Sequence, residues 1–193
     1  MSYFNAFSRE LFCKIVYYGP GLCGKTTNVE RLHERAPPAV RGNLVSLKTE
    51  SERTLFFDFL PLDLGKVRDF AVRLQLYTVP GQVFYRASRR LILRGADAVV
   101  FVADSQSARL DANLEAMMDL RENLAELRTP LEALPCVLQY NKRDLDDIEP
   151  ITRLRALLNP MGAPEVESDA ARGVGVVETL RTAARLALRR LSA

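Results

Sequence analysis

Eight residues near the N-terminus have the types and the spacing of a loop that binds phosphate groups. Residues 19–26 read GPGLCGKT, the pattern G-x-x-x-x-G-K-T, between an apolar run that predicts a strand and a pattern that predicts a helix. Glycines allow successive backbone N–H groups to curl around phosphate oxygens, and the helix N-terminus adds partial positive charge. A glycine-rich turn that matches by chance is the alternative, and the flanking strand and helix disfavour it.

This phosphate loop (residues 19–26) also predicts individual ligands. Lys25 is expected to neutralise the β- and γ-phosphates, and the Thr26 hydroxyl to bind Mg²⁺. Cys23 is expected to contribute its backbone N–H, although a redox role for its thiol is conceivable. The predicted nucleotide-contacting residues here are Gly19, Gly21, Leu22, Cys23, Gly24, Lys25, Thr26 and Thr27.

A second motif, Asn141-Lys142-Arg143-Asp144, predicts which base is bound. The Asp144 carboxylate only accepts hydrogen bonds, and guanine offers N1–H and its 2-amino group side by side, whereas adenine presents an acceptor there. Such a site rejects an analogue that lacks the donors by roughly 10⁴-fold or more. Lys142 is expected to lie along the base and to tie this guanine loop (residues 141–144) to the phosphate loop. A charged turn is the alternative, which the preceding phosphate loop disfavours, and an ATPase is rejected.

The apolar pattern predicts the elements that must position these loops. Continuous apolar runs at 11–19, 96–104 and 134–141 are typical of strands buried on both faces of a parallel sheet. Helical spacing predicts helices at 24–36, 107–128, 151–160 and 176–191, and Pro37-Pro38 ends the first. The alternation favours an α/β fold, a mainly parallel sheet of six to seven strands with helices on both faces. Segments 44–60 and 70–78 are expected to form one antiparallel strand pair.

Composition excludes several classes of protein. With 193 residues, 48% apolar and 26% charged, the chain is predicted to be one domain, residues 1–193. A net charge of +3 gives no reason to predict nucleic-acid binding. We expect no stable membrane anchor, since the sequence has no secretory signal, no lipidation motif and no apolar run near roughly twenty residues. Three widely spaced cysteines fit a reducing cytoplasm.

With these motifs in place, the chain resembles Ras-superfamily small GTPases, and more narrowly the bacterial MglA family of gliding and polarity GTPases. The likeness covers nearly the whole chain, including CKIVYYGPGLCGKTTN, RTLFFDFLPL, LYTVPGQVFY, VVFVADSQ and YNKRDL. It implies a Ras-like G domain that binds GTP and GDP with Mg²⁺ and hydrolyses GTP slowly. In eukaryotic relatives an aspartate that helps to hold Mg²⁺ precedes the Gly-Gln pair, and here that position is Thr78. Family members share this threonine and are active.

The resemblance assigns further roles by position. Thr54 matches the switch threonine that meets Mg²⁺ and the γ-phosphate, and Gly81 the glycine whose N–H meets the γ-phosphate. Gln82 matches the residue that orients the attacking water. Arg53 matches an intrinsic arginine finger, whereas the residues without the resemblance favour a solvated loop charge there. Gly21 matches the glycine whose replacement blocks hydrolysis.

Two further residues lie outside the phosphate and guanine loops. Ala170 is expected to place its N–H on guanine O6, although Asp169-Ala170-Ala171 departs from the Ser-Ala-Lys of Ras-like proteins. Asp58 is the candidate to replace the missing aspartate in ordering Mg²⁺, with an edge-strand carboxylate facing solvent as the alternative.

The resemblance also implies partners. These are a homodimeric Roadblock/LC7-type GTPase-activating protein similar to MglB, and effectors of polarity or motility. The chain alone is expected to be a monomer in the cytoplasm, recruited to the cell poles by partners. The apolar stretch TLFFDFLPLDL is either a partner surface or a buried strand, and the arginines of the last helix either touch lipid headgroups or, as we favour, form its solvated face.

Two functions remain at this point. One is a GTP-hydrolysing molecular switch that controls cell polarity or motility, and the other is a pseudo-GTPase scaffold that holds nucleotide without hydrolysis. Gln82, Arg53 and Gly21 favour the switch, because a scaffold has no need of a glutamine that positions water.

Overall fold

The computed structural model describes residues 4–5, 9–48, 54–67, 69–81 and 86–191. The strands are β1 (Phe4–Asn5), β2 (Glu10–Tyr18), β3 (Val45–Lys48), β4 (Thr54–Val67), β5 (Phe70–Thr78), β6 (Ala98–Asp104), β7 (Cys136–Asn141) and β8 (Glu165–Glu167). The α-helices are α1 (Lys25–Arg35), α2 (Arg86–Leu93), α3 (Leu110–Glu126), α4 (Ile151–Leu158) and α5 (Val176–Leu191). Two 3₁₀ turns lie at Ser107–Arg109 and Leu131–Ala133.

The strands of the described residues form one mixed sheet in the order β3-β4-β5-β2-β6-β7-β8, with β1 paired to β2. The five strands from β5 to β8 in this order are parallel, while β3 and β4 add an antiparallel edge. This confirms the predicted α/β fold. The predicted antiparallel pair is also present, as β4 with β5, but segment 44–60 contains two strands rather than one. The polar run TESER at 49–53 interrupts the apolar pattern between them.

Alternating side chains of the central strands build a separate core on each face of the sheet. In β2, Cys13, Ile15 and Tyr17 pack in the core that includes residues of α1 and α5. Val16 and Tyr18, between them, pack in the core that includes residues of α2, α3 and α4. Both faces of β2 are therefore covered, which explains its continuous apolar sequence.

The helices bury one side each and leave the other in solvent. In α5 the small residues Ala183, Ala184 and Ala187 are buried, whereas its arginines are exposed, so the interpretation of α5 as a core-packed helix is confirmed. In α3 the predicted apolar face is only partly buried, because Met118 is 61% exposed. Among the described residues, no helix has the length and apolarity needed to cross a membrane.

The parallel strands end at one edge of the sheet, and the predicted loops begin there. β2 ends at Tyr18, just before the phosphate loop, and β7 ends at Asn141, the first residue of the guanine loop. β6, which lies between them, ends at Asp104. Ligands of open α/β sheets bind in the crevice outside the carboxyl ends of the strands. The fold therefore brings both predicted loops to one crevice.

Candidate functional site

The phosphate loop joins β2 to α1, as predicted, and its shape depends on two glycines. Gly19 and Gly24 have φ angles of 141° and 101°, which residues with side chains rarely adopt. A Cβ atom on Gly24 would lie 2.2 Å from Asn141 Nδ2, and one on Gly19 would lie 2.2 Å from the Val102 carbonyl oxygen. Neither position has room for a side chain.

The start of α1 presents donors to this loop. Gly24 precedes the helix and provides no side-chain cap for the first backbone N–H groups, and the first turn carries no acidic residue. Such a helix N-terminus favours an anion. Lys25 is 6% exposed, and its ammonium donates to the carbonyls of Gly19 at 3.0 Å and Pro20 at 2.7 Å. The cation is thus held within the phosphate loop.

Cys23 is fully buried in the same loop. Burial raises the pKa of its thiol, while the nearby Lys25 ammonium opposes the shift. A buried thiol of raised pKa is a poor nucleophile, so the structure gives no support for a redox role.

Asn141 connects the guanine loop to two other segments. Its Nδ2 donates to the Cys23 carbonyl at 2.8 Å, and its Oδ1 accepts from the Ala170 N–H at 2.9 Å and from the Ser168 hydroxyl at 3.0 Å. One buried amide therefore fixes the phosphate loop, the guanine loop and the segment that carries Ala170 relative to one another.

Lys142 bonds the carboxyl end of β6 rather than the phosphate loop. Its ammonium donates to Asp104 Oδ2 at 2.6 Å and to Gln106 Oε1 at 3.1 Å. The bond from the guanine loop to the phosphate loop comes instead from Asn141. Asp144, which was predicted to read the base, is exposed at this end of the crevice.

Asp58 lies at the opposite end of the site and faces inward. It is fully buried, and its Oδ2 accepts from the hydroxyls of Thr26 at 2.6 Å and Thr78 at 2.7 Å. The Thr78 hydroxyl in turn accepts from the Asp58 N–H at 2.9 Å, and Ser46 donates to Asp58 Oδ1. The alternative of a solvent-facing carboxylate is therefore wrong.

Gly81 packs directly on the phosphate loop. A Cβ atom on Gly81 would lie 2.5 Å from the Gly21 Cα and 2.6 Å from the Gly21 nitrogen. Only glycine permits this approach, because any side chain would meet backbone atoms. The structure thus brings together Gly81, which the resemblance assigns to the γ-phosphate, and Gly21, whose replacement the resemblance expects to block hydrolysis.

The predicted catalytic residues Arg53 and Gln82 lie outside the described residues. Thr54 is the first residue of β4, where the structure describes its backbone. Thr27 is half-buried in the first turn of α1, beside Thr26.

Sequence reasoning missed two charged residues at the crevice. Asp104 is the last residue of β6 and is fully buried, and Arg109 follows it on the 3₁₀ turn. The signal was available for Asp104, since a carboxylate at the carboxyl end of a central parallel strand is placed at the ligand crevice.

Comparison with known proteins identifies relatives along the whole chain. Mutual gliding-motility protein MglA of Myxococcus xanthus (strain DK1622) is 55% identical over 191 residues, which covers 99% of this chain and 98% of MglA. Ras-related protein Rab-7a of Dictyostelium discoideum is 25% identical over 187 residues, 95% of this chain and 86% of its own. Ras-related protein Rab-7L1 of Rattus norvegicus is 28% identical over 138 residues, 72% and 62% respectively. No protein-family model matches the chain.

Proposed function

Because the chain belongs to the MglA family of small Ras-like GTPases, we propose that it is a GTP-hydrolysing switch with the residue roles that follow. The observation that supports this best is the set of bonds made by Asn141. These bonds hold the loop of phosphate-binding spacing against the loop of guanine-binding chemistry.

The base is held by the guanine loop. Asp144 accepts from guanine N1–H and the 2-amino group, and its exposure leaves it accessible to a ligand entering the crevice. The Ala170 N–H, which here donates to Asn141 Oδ1, donates to guanine O6 in the complex, either in addition to the bond to Asn141 or in place of it. Lys142 lies along the base from its anchor on Asp104.

The donor chemistry at the Asp58 end fits Mg²⁺. The oxygen atoms of Thr26, Asp58, Thr78 and Ser46 converge there, and Mg²⁺ prefers oxygen ligands and takes one or two protein groups besides the phosphates. The Thr26 hydroxyl would bind the ion, together with Thr54, and Asp58 would orient the Thr26 hydroxyl and offset the positive charge of the ion. Bound Mg²⁺ supplies neutralisation of the charge that develops on the transferring phosphoryl group.

Hydrolysis requires an oriented water and a cation on the γ-phosphate. Gln82 orients the water, the N–H of Gly81 meets the γ-phosphate, and Arg53 adds an arginine finger. An arginine finger raises the rate by about 10³–10⁵. Intrinsic turnover of GTP is slow. A Roadblock/LC7-type homodimer accelerates it by repositioning the two segments that carry Arg53 and Gln82.

The process served is control of gliding motility or cell polarity. This extends the printed name of the Myxococcus relative, a mutual gliding-motility protein, to the present chain. Effectors of that machinery would bind the GTP form.

The test is phosphate release from GTP at saturating Mg²⁺, with and without a Roadblock-type homodimer. We expect slow release that rises with the partner and collapses in Gln82→Leu. Gln75→Leu makes the same chemical change on β5, outside the crevice, and is expected to behave as wild type. Tight GTP binding without release under any condition would contradict hydrolysis and favour a nucleotide-holding scaffold.

A further inference from the structure

Arg109 reaches the phosphate loop from the 3₁₀ turn that follows β6. Its Nη2 donates to the Gly21 carbonyl at 2.8 Å, and its Nε lies 3.8 Å from Asp104 Oδ2. The Arg109 side chain is 36% exposed, whereas that of Asp104 is fully buried. The Arg109 guanidinium therefore lies between the Asp104 carboxylate and the Gly21 carbonyl.

Asp104 is itself fixed from several directions. Its backbone N–H donates to Asn113 Oδ1 at 2.9 Å, and its carbonyl accepts from Asn113 Nδ2 at 2.8 Å. Its carboxylate accepts from Gln106 N–H and from the Lys142 ammonium. One buried anion therefore anchors a cation of the guanine loop and a cation that contacts the phosphate loop.

The direction of the Gly21 carbonyl determines the direction of a neighbouring N–H group in the phosphate loop. A peptide unit is planar and trans, so the carbonyl of Gly21 and the N–H of Leu22 point in opposite directions. The bond from Arg109 to the Gly21 carbonyl therefore also fixes the direction of the Leu22 N–H. Leu22 also has a φ of 63°, in the left-handed region that a leucine rarely adopts, and such a residue needs surrounding contacts to stay there.

We propose that Arg109 is a nucleotide-positioning residue, which sets the orientation of the Gly21–Leu22 peptide so that its N–H faces the β-phosphate of the nucleotide. This rests on the proposed guanine-nucleotide binding. The bond from a charged donor to the carbonyl offsets the strain at Leu22, and Asp104 fixes the guanidinium. Arg109 acts through the backbone of the loop and not on the reacting atoms.

The experiment compares variants by their release of a fluorescent GDP analogue. Arg109→Ala is expected to speed release about tenfold, the effect of losing one charge-assisted hydrogen bond, and Arg109→Lys to fall between it and wild type. Arg121→Ala is the matched control, because Arg121 lies on α3, is 38% exposed and bonds Glu132 on the 3₁₀ turn Leu131–Ala133. We expect it to release the analogue at the wild-type rate.

A second readout separates positioning from a general structural role. GMP lacks the β-phosphate, so Arg109→Ala should weaken GDP binding about tenfold and leave GMP binding, measured by competition, nearly unchanged. Equal weakening of both nucleotides, or an unchanged GDP release rate in a folded variant, would overturn the inference. Failure of wild type itself to retain the GDP analogue would instead overturn the proposed function on which it rests.

Discussion

Replacing Asp58 with Asn tests the assignment of the metal end of the site. The change removes one negative charge and keeps the size of the side chain. Asp58 is fully buried and accepts hydrogen bonds from the hydroxyls of Thr26, Thr78 and Ser46. Hydroxyl groups can rotate to accept from the new amide, so we expect a folded protein that has lost about 1–2 kcal/mol of stability.

The larger effect of Asp58→Asn should be on the affinity of the site for Mg²⁺. Asp58 Oδ2 lies 2.6 Å from the Thr26 hydroxyl, which we propose as a metal ligand. Loss of a group that orients a metal ligand typically costs about 10–100-fold in metal affinity. Asp58→Asn should therefore raise, by about this factor, the Mg²⁺ concentration at which half of the bound GTP is retained. Near-saturating Mg²⁺ should restore retention.

The assay follows dissociation of a fluorescent GTP analogue across a series of Mg²⁺ concentrations. Asp63→Asn is the matched control, since Asp63 lies on the same strand, is partly exposed and accepts from the Gly65 N–H at 2.7 Å. A wild-type Mg²⁺ midpoint for Asp58→Asn, in a protein that melts cooperatively, would refute the role of this carboxylate.

Three further predictions concern other buried groups. Thr78→Val should lower the free energy of unfolding by about 1–3 kcal/mol, because the buried Asp58 carboxylate loses one hydrogen-bond donor. Thr78→Asp should lower it further, since two carboxylates would share a site without water. A urea-unfolding experiment that ranks the two variants in the reverse order would contradict this prediction. Arg35 donates to the carbonyls of residues 172 and 173 at 3.0 Å and 2.5 Å, next to the segment that carries Ala170. Arg35→Ala should therefore speed GDP release several-fold. Arg31→Ala, on the same helix, should leave the release rate unchanged. Burial raises the pKa of Cys136 from 9.0 to about 12. As pH rises, the Cys136 thiol therefore loses its proton in the unfolded chain before it does so in the folded protein. The free energy of unfolding should keep its full value below pH 9 and should fall above it, by about 1.4 kcal/mol at pH 10. In urea unfolding at pH 8 to 10, Cys136→Ala should show a shallower decline, and an equal decline would contradict the assignment.

The parts of the site that the sequence predicts are those whose residues are adjacent in the chain. The phosphate and guanine loops are contiguous motifs, and the rule that parallel strands end at one edge brings them together. Lys142 is expected to tie the guanine loop to the phosphate loop, whereas Asn141 makes this bond, because spacing alone does not say which side chain of a loop turns inward. The sequence does not predict the contact of Arg109, because its acceptor is the backbone carbonyl of Gly21, 88 positions away in the chain.

The pairing of strands β4 and β5 places the Asp58 carboxylate beside the Thr78 hydroxyl. In the antiparallel pairing of β4 with β5, Phe59 lies opposite Tyr77 and Leu60 opposite Leu76, so Asp58 comes opposite Thr78. We propose that Asp58 supplies, from the neighbouring strand, the carboxylate that eukaryotic relatives carry at the position of Thr78, whose hydroxyl here bonds it. The two residues form a hydrogen-bonded unit of one carboxylate and one hydroxyl on adjacent strands. Restoring aspartate at 78 while Asp58 remains would therefore place a second charge at an occupied position, whereas exchanging the two residues together would retain one carboxylate and one hydroxyl there.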